Sequence, residues 1–264
     1  MDELKKKTLT DEILPEAIKL RTDRLLIKRV KTSWEVPTFN ETNLCSRFTI
    51  PTKEGDLKEE DMSNIDFMLY VASGASGHYD PPAWALTCAV DAQNNRPIIG
   101  AMHVKAEVIK FGKGTVRLLA LELGHALGFD YKRMSDLGVI TSHTIRGKNR
   151  TVANSTKTLE KTKKHYKCEP MKGMGLEDQT KSGSQPTLHW MKRYAKDELM
   201  SDTKFSLLYE NIGYYTALTI AAFEDLGFYK GNYLPHMQQT MHEQIRPHTT
   251  PHVSTRVSAY SRAY

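Results

Sequence analysis

The residues best placed to do chemistry are Glu122 and His125, within Leu121-Glu122-Leu123-Gly124-His125-Ala126-Leu127-Gly128-Phe129. Three residues apart, they share one face of a helix. A glutamate with a histidine at that spacing is the second half of His-Glu-x-x-His. In the full motif two histidines four apart grip a zinc ion, and the glutamate is general base to the water the metal binds. Here Leu121 stands where the first histidine belongs, and its side chain has no lone pair for a metal. The stretch reads as a base and one ligand, with a hydrocarbon in the other ligand's place. By itself such a pair is weak evidence, because a satisfied structural histidine beside a glutamate occurs on many helices.

A helix must hold these residues and a sheet must hold the helix. Gly112 and Gly114 mark a turn and Thr115 is a candidate cap. Val116, Leu119, Ala120, Leu123, Ala126 and Leu127 then form a broad apolar stripe that Gly128 stops. Upstream, Asp66 to Ala72, Ala83 to Val90 and Pro97 to Val104 read as strands, the last two joined by a turn-rich Asp91 to Arg96. Near the N-terminus, Thr10 to Glu12 predicts a helix entry, with helical spacing from Ile13 to Leu25 that is tolerable if Pro15 lies in the first turn.

Downstream, residues 130–188 are polar without clear periodicity. This predicts a long insertion or ordered loop whose lysines, from Lys157 to Lys167, form a solvated face. Gly213 to Gly227 is apolar nearly all round and predicts a buried helix. The last stretch carries His236, His242, His248 and His252 among prolines and few apolar residues, so disorder is expected there.

With 264 residues, 39% hydrophobic, the chain can build a core of one large domain or two lobes. A net charge of +6 gives mild attraction to anionic surfaces but no nucleic-acid specialisation, since both signs are mixed along most of the chain. No apolar run has the length of a signal-peptide core or a membrane span. Three cysteines, Cys45, Cys88 and Cys168, allow at most one internal disulfide and leave one thiol. Triplets at Asn40, Asn149 and Asn154 have the form of glycosylation acceptors.

Several separated motifs, in order, strongly resemble the leishmanolysin family, the major surface proteases of trypanosomatids. They are His125-Ala-Leu-Gly-Phe129, His189-Trp-Met-Lys-Arg193, Asp197-Glu-Leu-Met200, Gly213-Tyr-Tyr-Thr-Ala-Leu-Thr219 and Asp225-Leu-Gly-Phe-Tyr229. Leu44 to Pro51, Leu69 to Ala72 and Gly100 to Met102 support them, so the resemblance covers about residues 11 to 234.

The resemblance implies a zinc metalloendopeptidase of the metzincin clan. It places Glu122 as general base, His125 and His189 as zinc ligands, Met200 in the methionine turn and Leu121 in the missing ligand's position. The third ligand does not follow Gly128 at the usual metzincin spacing, where Tyr131 stands; a family-type insertion precedes His189. An extended peptide is expected to add as a strand beside Pro97 to Val104. Cys45 and Cys88 match family cysteines and are expected to pair in an oxidising compartment, leaving Cys168.

The implied fold is α+β: a mixed twisted sheet packed on an active-site helix, with a second, mostly helical lobe. The expected domains are an N-terminal lobe at 1–129, the insertion at 130–188, a C-terminal lobe at 189–234 and a tail at 235–264. The family's signal peptide, pro-segment cysteine and cysteine-rich C-terminal region have no visible counterpart, which implies a truncated copy with one zinc ligand replaced.

The expected function is peptide-bond hydrolysis impaired by weakened zinc binding. The alternatives are a non-catalytic relative that binds peptides or surface and matrix proteins at the cell surface, or a pseudogene-type fragment. No other histidine is positioned in sequence to replace the missing ligand; His103, on the preceding strand, would help only by an unexpected geometry.

Overall fold

A computed structural model describes residues 2–27, 39, 44–48, 65–74, 81–177, 188–202, 213–233 and 258–259. The chain divides into two units, one of residues 1–17, 28–127 and 247–264, the other of 18–27 and 128–246. Helical structure begins at once, because Asp2 accepts a hydrogen bond from the Lys5 N–H at 2.7 Å. It runs as α-helix over Glu3–Lys7, widens into a π-helix over Thr8–Ile13 and returns to α-helix over Leu14–Thr22. Pro15 has no N–H for the carbonyl four residues back and its ring crowds that carbonyl. The wider turn immediately before it accommodates both defects. The helix therefore starts earlier than Thr10 and ends before Leu25, which lies on strand β1 (Leu25–Ile27).

The first unit is built on a mixed sheet of β2 (Met68–Gly74), β3 (Ala83–Val90) and β4 (Pro97–Lys105), close to the three strands expected. β4 lies parallel to β2, with Leu69 opposite Gly100, and antiparallel to β3, with Trp84 opposite His103. Ser258–Ala259 pairs in parallel with Tyr70 and Val71 on β2. The rest of the expected tail, 235–257 and 260–264, lies outside the described residues. Cys45, Phe48, Ile65, Met68, Tyr70, Ile98, Ile99 and Ala101 form a core cluster, with Trp84 and Leu86 packed against it. The Cys45–Cys88 disulfide, with Cα atoms 5.8 Å apart, clips the short turn at Leu44–Arg47 to β3. This is the pairing the resemblance implied, and Cys168 is free.

The central helix, Lys113–Ala126, has every residue from Gly114 to Ala126 buried. Its leucines and alanines favour helix intrinsically, but enclosure on all sides is a tertiary effect. Thr115 is not its cap: the helix starts at Lys113, and Thr115 lies in the first turn. Gly128, at φ 106°, ends it as expected. The Ala126 carbonyl, one of the orphan acceptors of the last turn, accepts the Thr87 Oγ1 hydroxyl of β3 at 2.9 Å. The sheet meets the helix closely at Gly100, where an added Cβ would stand 2.9 Å from the Ala126 Cβ and 2.7 Å from Phe67.

In the second unit the polar stretch forms regular elements over 131–175, while 178–187 lie outside the described residues. It holds a short helix (Tyr131–Asp136), the hairpin β5 (Ile140–Ile145) and β6 (Lys148–Ala153), a helix at Thr156–Tyr166, and β7 (Met174–Gly175) paired with β6. The hairpin turns at Arg146 and Gly147, both with positive φ (51° and 73°), the backbone that matches strand twist in a two-residue turn. Its signal is faint in sequence because only Ile140 of β5 is buried, so no apolar alternation marks it.

The Thr156–Tyr166 helix starts on a distant side chain. Asp225 accepts from the Thr158 N–H and hydroxyl at 2.8 Å each and from the Lys157 N–H at 3.2 Å. The predicted buried helix is Ala217–Asp225, with Leu218 to Phe223 buried. β8 (Tyr229–Gly231) follows it and pairs antiparallel with β1.

Candidate metal centre

Glu122 and His125 lie on the central helix, 9% and 7% exposed, one turn apart on the face the spacing predicted. Leu121 occupies the position one turn before His125 and is 1% exposed. The helical register that would let two imidazoles grip one metal is therefore present, with one imidazole and one hydrocarbon on it. His103 pairs across strands with Trp84 and stacks on its indole, ring centroids 5.7 Å apart.

His189 and Met200 belong to the second unit, where hydrogen bonds between short extended segments place them together. The His189 carbonyl accepts from the Glu177 N–H at 3.0 Å, and the next residue, Trp190, donates its N–H to the Met200 carbonyl at 2.9 Å. Trp190 also bridges to Leu176 and Ser201. Its indole N–H donates to Thr219 Oγ1 at 2.8 Å, and Thr219 donates to Glu198 Oε1 at 2.5 Å. Glu198 accepts in addition from the Thr216 N–H at 3.0 Å, at the start of the buried helix. Three of the motifs that carried the resemblance, at 189–193, 197–200 and 213–219, thus each supply a member of one buried network. Isolated spacing arguments do not reveal Glu198 or Thr219; their recurrence in separate motifs is the available signal.

Met200 is fully buried, and Arg21 Nη2 donates to its sulfur at 2.8 Å. The Arg21 guanidinium lies 4.9 Å from the Tyr215 ring centroid and 5.2 Å from that of Phe223. Burial pushes the Tyr215 phenol above its ordinary pKa, although the nearby Arg21 and Arg24 cations oppose this. Phe129, just past the central helix, packs edge-on against Trp190 at 5.1 Å. Arg21 gave no sequence signal, since its role depends on a contact with a residue 179 positions away.

The donors do not fit a zinc ion held by three histidines. The helical pair supplies one nitrogen where two are needed, and among the described residues no group of three His, Cys, Asp or Glu side chains is placed to hold a metal. The expected docking strand also changes. β4 has β3 on one side and β2 on the other, so its backbone groups are committed and no peptide can add there. Among the described residues the edges of this sheet are β3 and the two-residue segment Ser258–Ala259, so the eight-residue Ala83–Val90 replaces Pro97 to Val104 as the place for an added strand.

A mixed sheet backing a buried Glu-x-x-His helix, with a later segment in which Trp190, next to His189, donates its N–H to the Met200 carbonyl, is an α+β fold of the metzincin-like class. A family model described as leishmanolysin matches residues 1–241. The chain is 35% identical over 230 residues to a leishmanolysin homolog of Crithidia fasciculata, covering 85% of this chain and 33% of that protein. It is 33% identical over 234 residues to leishmanolysin of Leishmania major, covering 87% and 37%. A leishmanolysin-like peptidase of Caenorhabditis elegans is 24% identical over 221 residues, covering 66% and 32%. The chain belongs to the leishmanolysin family of zinc metalloproteases. It spans about a third of the length of the curated relatives it matches.

Proposed function

We propose that this chain is a metalloendopeptidase relative whose hold on zinc is weakened, so that it hydrolyses peptide bonds slowly or not at all. In this reading Glu122 is the general base, His125 and His189 are the remaining zinc ligands and Met200 forms the methionine turn. The observation that carries it is Leu121, a buried hydrocarbon one helical turn from His125. Loss of groups that merely orient ligands costs about 10- to 100-fold in metal affinity, and loss of a ligand costs more, above about 3 kcal/mol. The leucine also fills the space that a substituting water needs.

Zinc content after dialysis and casein cleavage with and without chelator test the reading. Substoichiometric zinc and no chelator-sensitive cleavage are expected. One retained zinc per chain with chelator-sensitive cleavage overturns it.

The open side of β3 favours a second reading, a relative that binds extended peptides without cleaving them. Peptide binding that persists in chelator, and that is lost when β3 side chains are replaced by proline, supports it. For either reading we place the protein at the cell surface or outside the cell, since Cys45–Cys88 suits an oxidising compartment. Among the described residues no helix is long and apolar enough to cross a membrane. Asn149 is exposed on β6 and Asn154 is half-buried, while Asn40 lies outside the described residues.

A further inference from the structure

The positive charge of this chain is not evenly spread. Residues 131–175 contain eleven Lys and Arg against three Asp and Glu, a net +8, while the other 219 residues carry 26 against 28, a net −2. Six of the eleven cluster on the Thr156–Tyr166 helix and the turn after it: Lys157, Lys161, Lys163, Lys164, Lys167 and Lys172. The helix buries Thr158 and Thr162 on its inner face, with the Thr162 hydroxyl turned back onto the Thr158 carbonyl at 2.7 Å. Lys157, Lys161 and Lys164 follow one another at helical spacing along one side, and Lys163 and Lys167 along the next.

Part of this charge is answered locally. Lys157 approaches Glu224 at 3.3 Å, Lys161 meets Glu160 at 2.8 Å and Lys163 meets Glu169 at 3.7 Å. Lys164, Lys167 and Lys172 are exposed and enter no ion pair among the described residues.

We propose that this lysine face is a docking surface for a sulfated polysaccharide chain. The surface chemistry selects that partner. No large hydrophobic side chain is exposed between Gly138 and Gly175, and the exposed ring nearest the helix is Tyr194, whose carbonyl accepts the Tyr166 hydroxyl at 2.8 Å, so the face lacks the continuous apolar stripe of a membrane-surface helix and the apolar centre of a protein interface. All six cations on it are lysines, and the exposed ring on the helix itself is one imidazole, His165, set edge-on to Tyr166, which is no row of platforms on which successive bases stack. What remains is a row of compact point charges about 5–6 Å apart along a helix about 16 Å long. That suits a flexible chain bearing sulfates at short intervals.

The test measures binding of a heparin octasaccharide to the full chain across a salt series. The comparison is between K164Q/K167Q/K172Q and K5Q/K6Q/K7Q, which removes the same charge from the other unit. The first variant should bind at least tenfold more weakly at fixed salt and flatten the log–log salt slope by about 2 to 3, at about 0.9 per lost contact. The second should stay within twofold of wild type, with circular dichroism confirming that both fold. Equal losses in the two variants, or no octasaccharide binding by wild type, overturn the proposal. Tighter binding to phosphatidylserine vesicles or to an oligothymidine than to the octasaccharide, with the same dependence on these lysines, overturns it in favour of those partners.

Discussion

Replacing Leu121 with histidine tests the central claim in both directions. Leu121 is 1% exposed on a helix buried on every side. Its burial contributes about 1.5–3 kcal/mol, and an imidazole in its place brings nitrogens whose unmet hydrogen bonds cost about 1–3 kcal/mol. Metal-free Leu121→His should therefore be less stable than wild type by about 3 kcal/mol, within the spread of those terms. If the position is a ligand site, zinc at a hundred times its Kd returns about 2.7 kcal/mol, nearly cancelling the loss. Urea unfolding in chelator and at buffered free zinc reads both quantities, and zinc content should rise towards one per chain. Leu121→Ala is the control, because it loses about 2–5 kcal/mol by cavity formation and gains nothing from zinc. A correctly folded Leu121→His that zinc stabilises no more than it does wild type refutes the assignment of this position.

Three further outcomes follow from the packing. Gly100→Ala should destabilise by about 1–3 kcal/mol, since its Cβ would meet the Ala126 Cβ at 2.9 Å; an unchanged urea midpoint would show that β4 and the central helix do not meet there. Removing the Cys45–Cys88 bridge, with its sequence separation of 43, should cost about 4 kcal/mol on the chain-entropy estimate, read as a lower midpoint for Cys45→Ser with Cys88→Ser. Burial alone would raise the Glu224 pKa, but hydrogen bonds from Tyr233 and the Gly231 N–H, with Lys157 nearby, hold it below the ordinary carboxylate value. Its folded pKa is the lower one, so its contribution is complete above the unfolded pKa and lost as pH falls through the folded value. Stability of wild type should therefore fall more steeply in acid than that of Glu224→Gln, and equal slopes would remove Glu224 from the account.

The three strands of the first unit, the central helix with its glycine stop and the buried Ala217–Asp225 helix were legible because each has a local period or punctuation. The expected helix entry at Thr10 to Glu12 came too late: with Pro15 tolerable only in a first turn the start was set there, yet the π-helix over Thr8–Ile13 lets the helix run through the proline from Glu3. The hairpin at Ile140–Ala153 escaped notice because exposed strands need no apolar alternation, and Arg146-Gly147 is not among the stronger turn pairs. At the candidate centre, Glu122, His125 and Leu121, at the position expected of the first ligand, were visible from helical spacing. Glu198, Thr219 and Arg21 were not, since a buried polar side chain is explained by its partner and each partner here is distant in sequence.

By itself, the sequence determined that Glu122 and His125, the proposed general base and metal ligand, share a helical face and that a leucine stands one turn before that histidine. Those facts depend only on residue identity and a repeat of 3.6 residues per turn. Tertiary structure decided which strand keeps an open side. The expected docking strand, Pro97 to Val104, proved to be interior and Ala83–Val90 an edge, because strand order is set by pairings between segments whose neighbours no local pattern encodes. It also decided where Met200 is held: the Trp190 N–H fixes its backbone and Arg21 meets its sulfur, contacts that exist only once distant parts of the chain have packed.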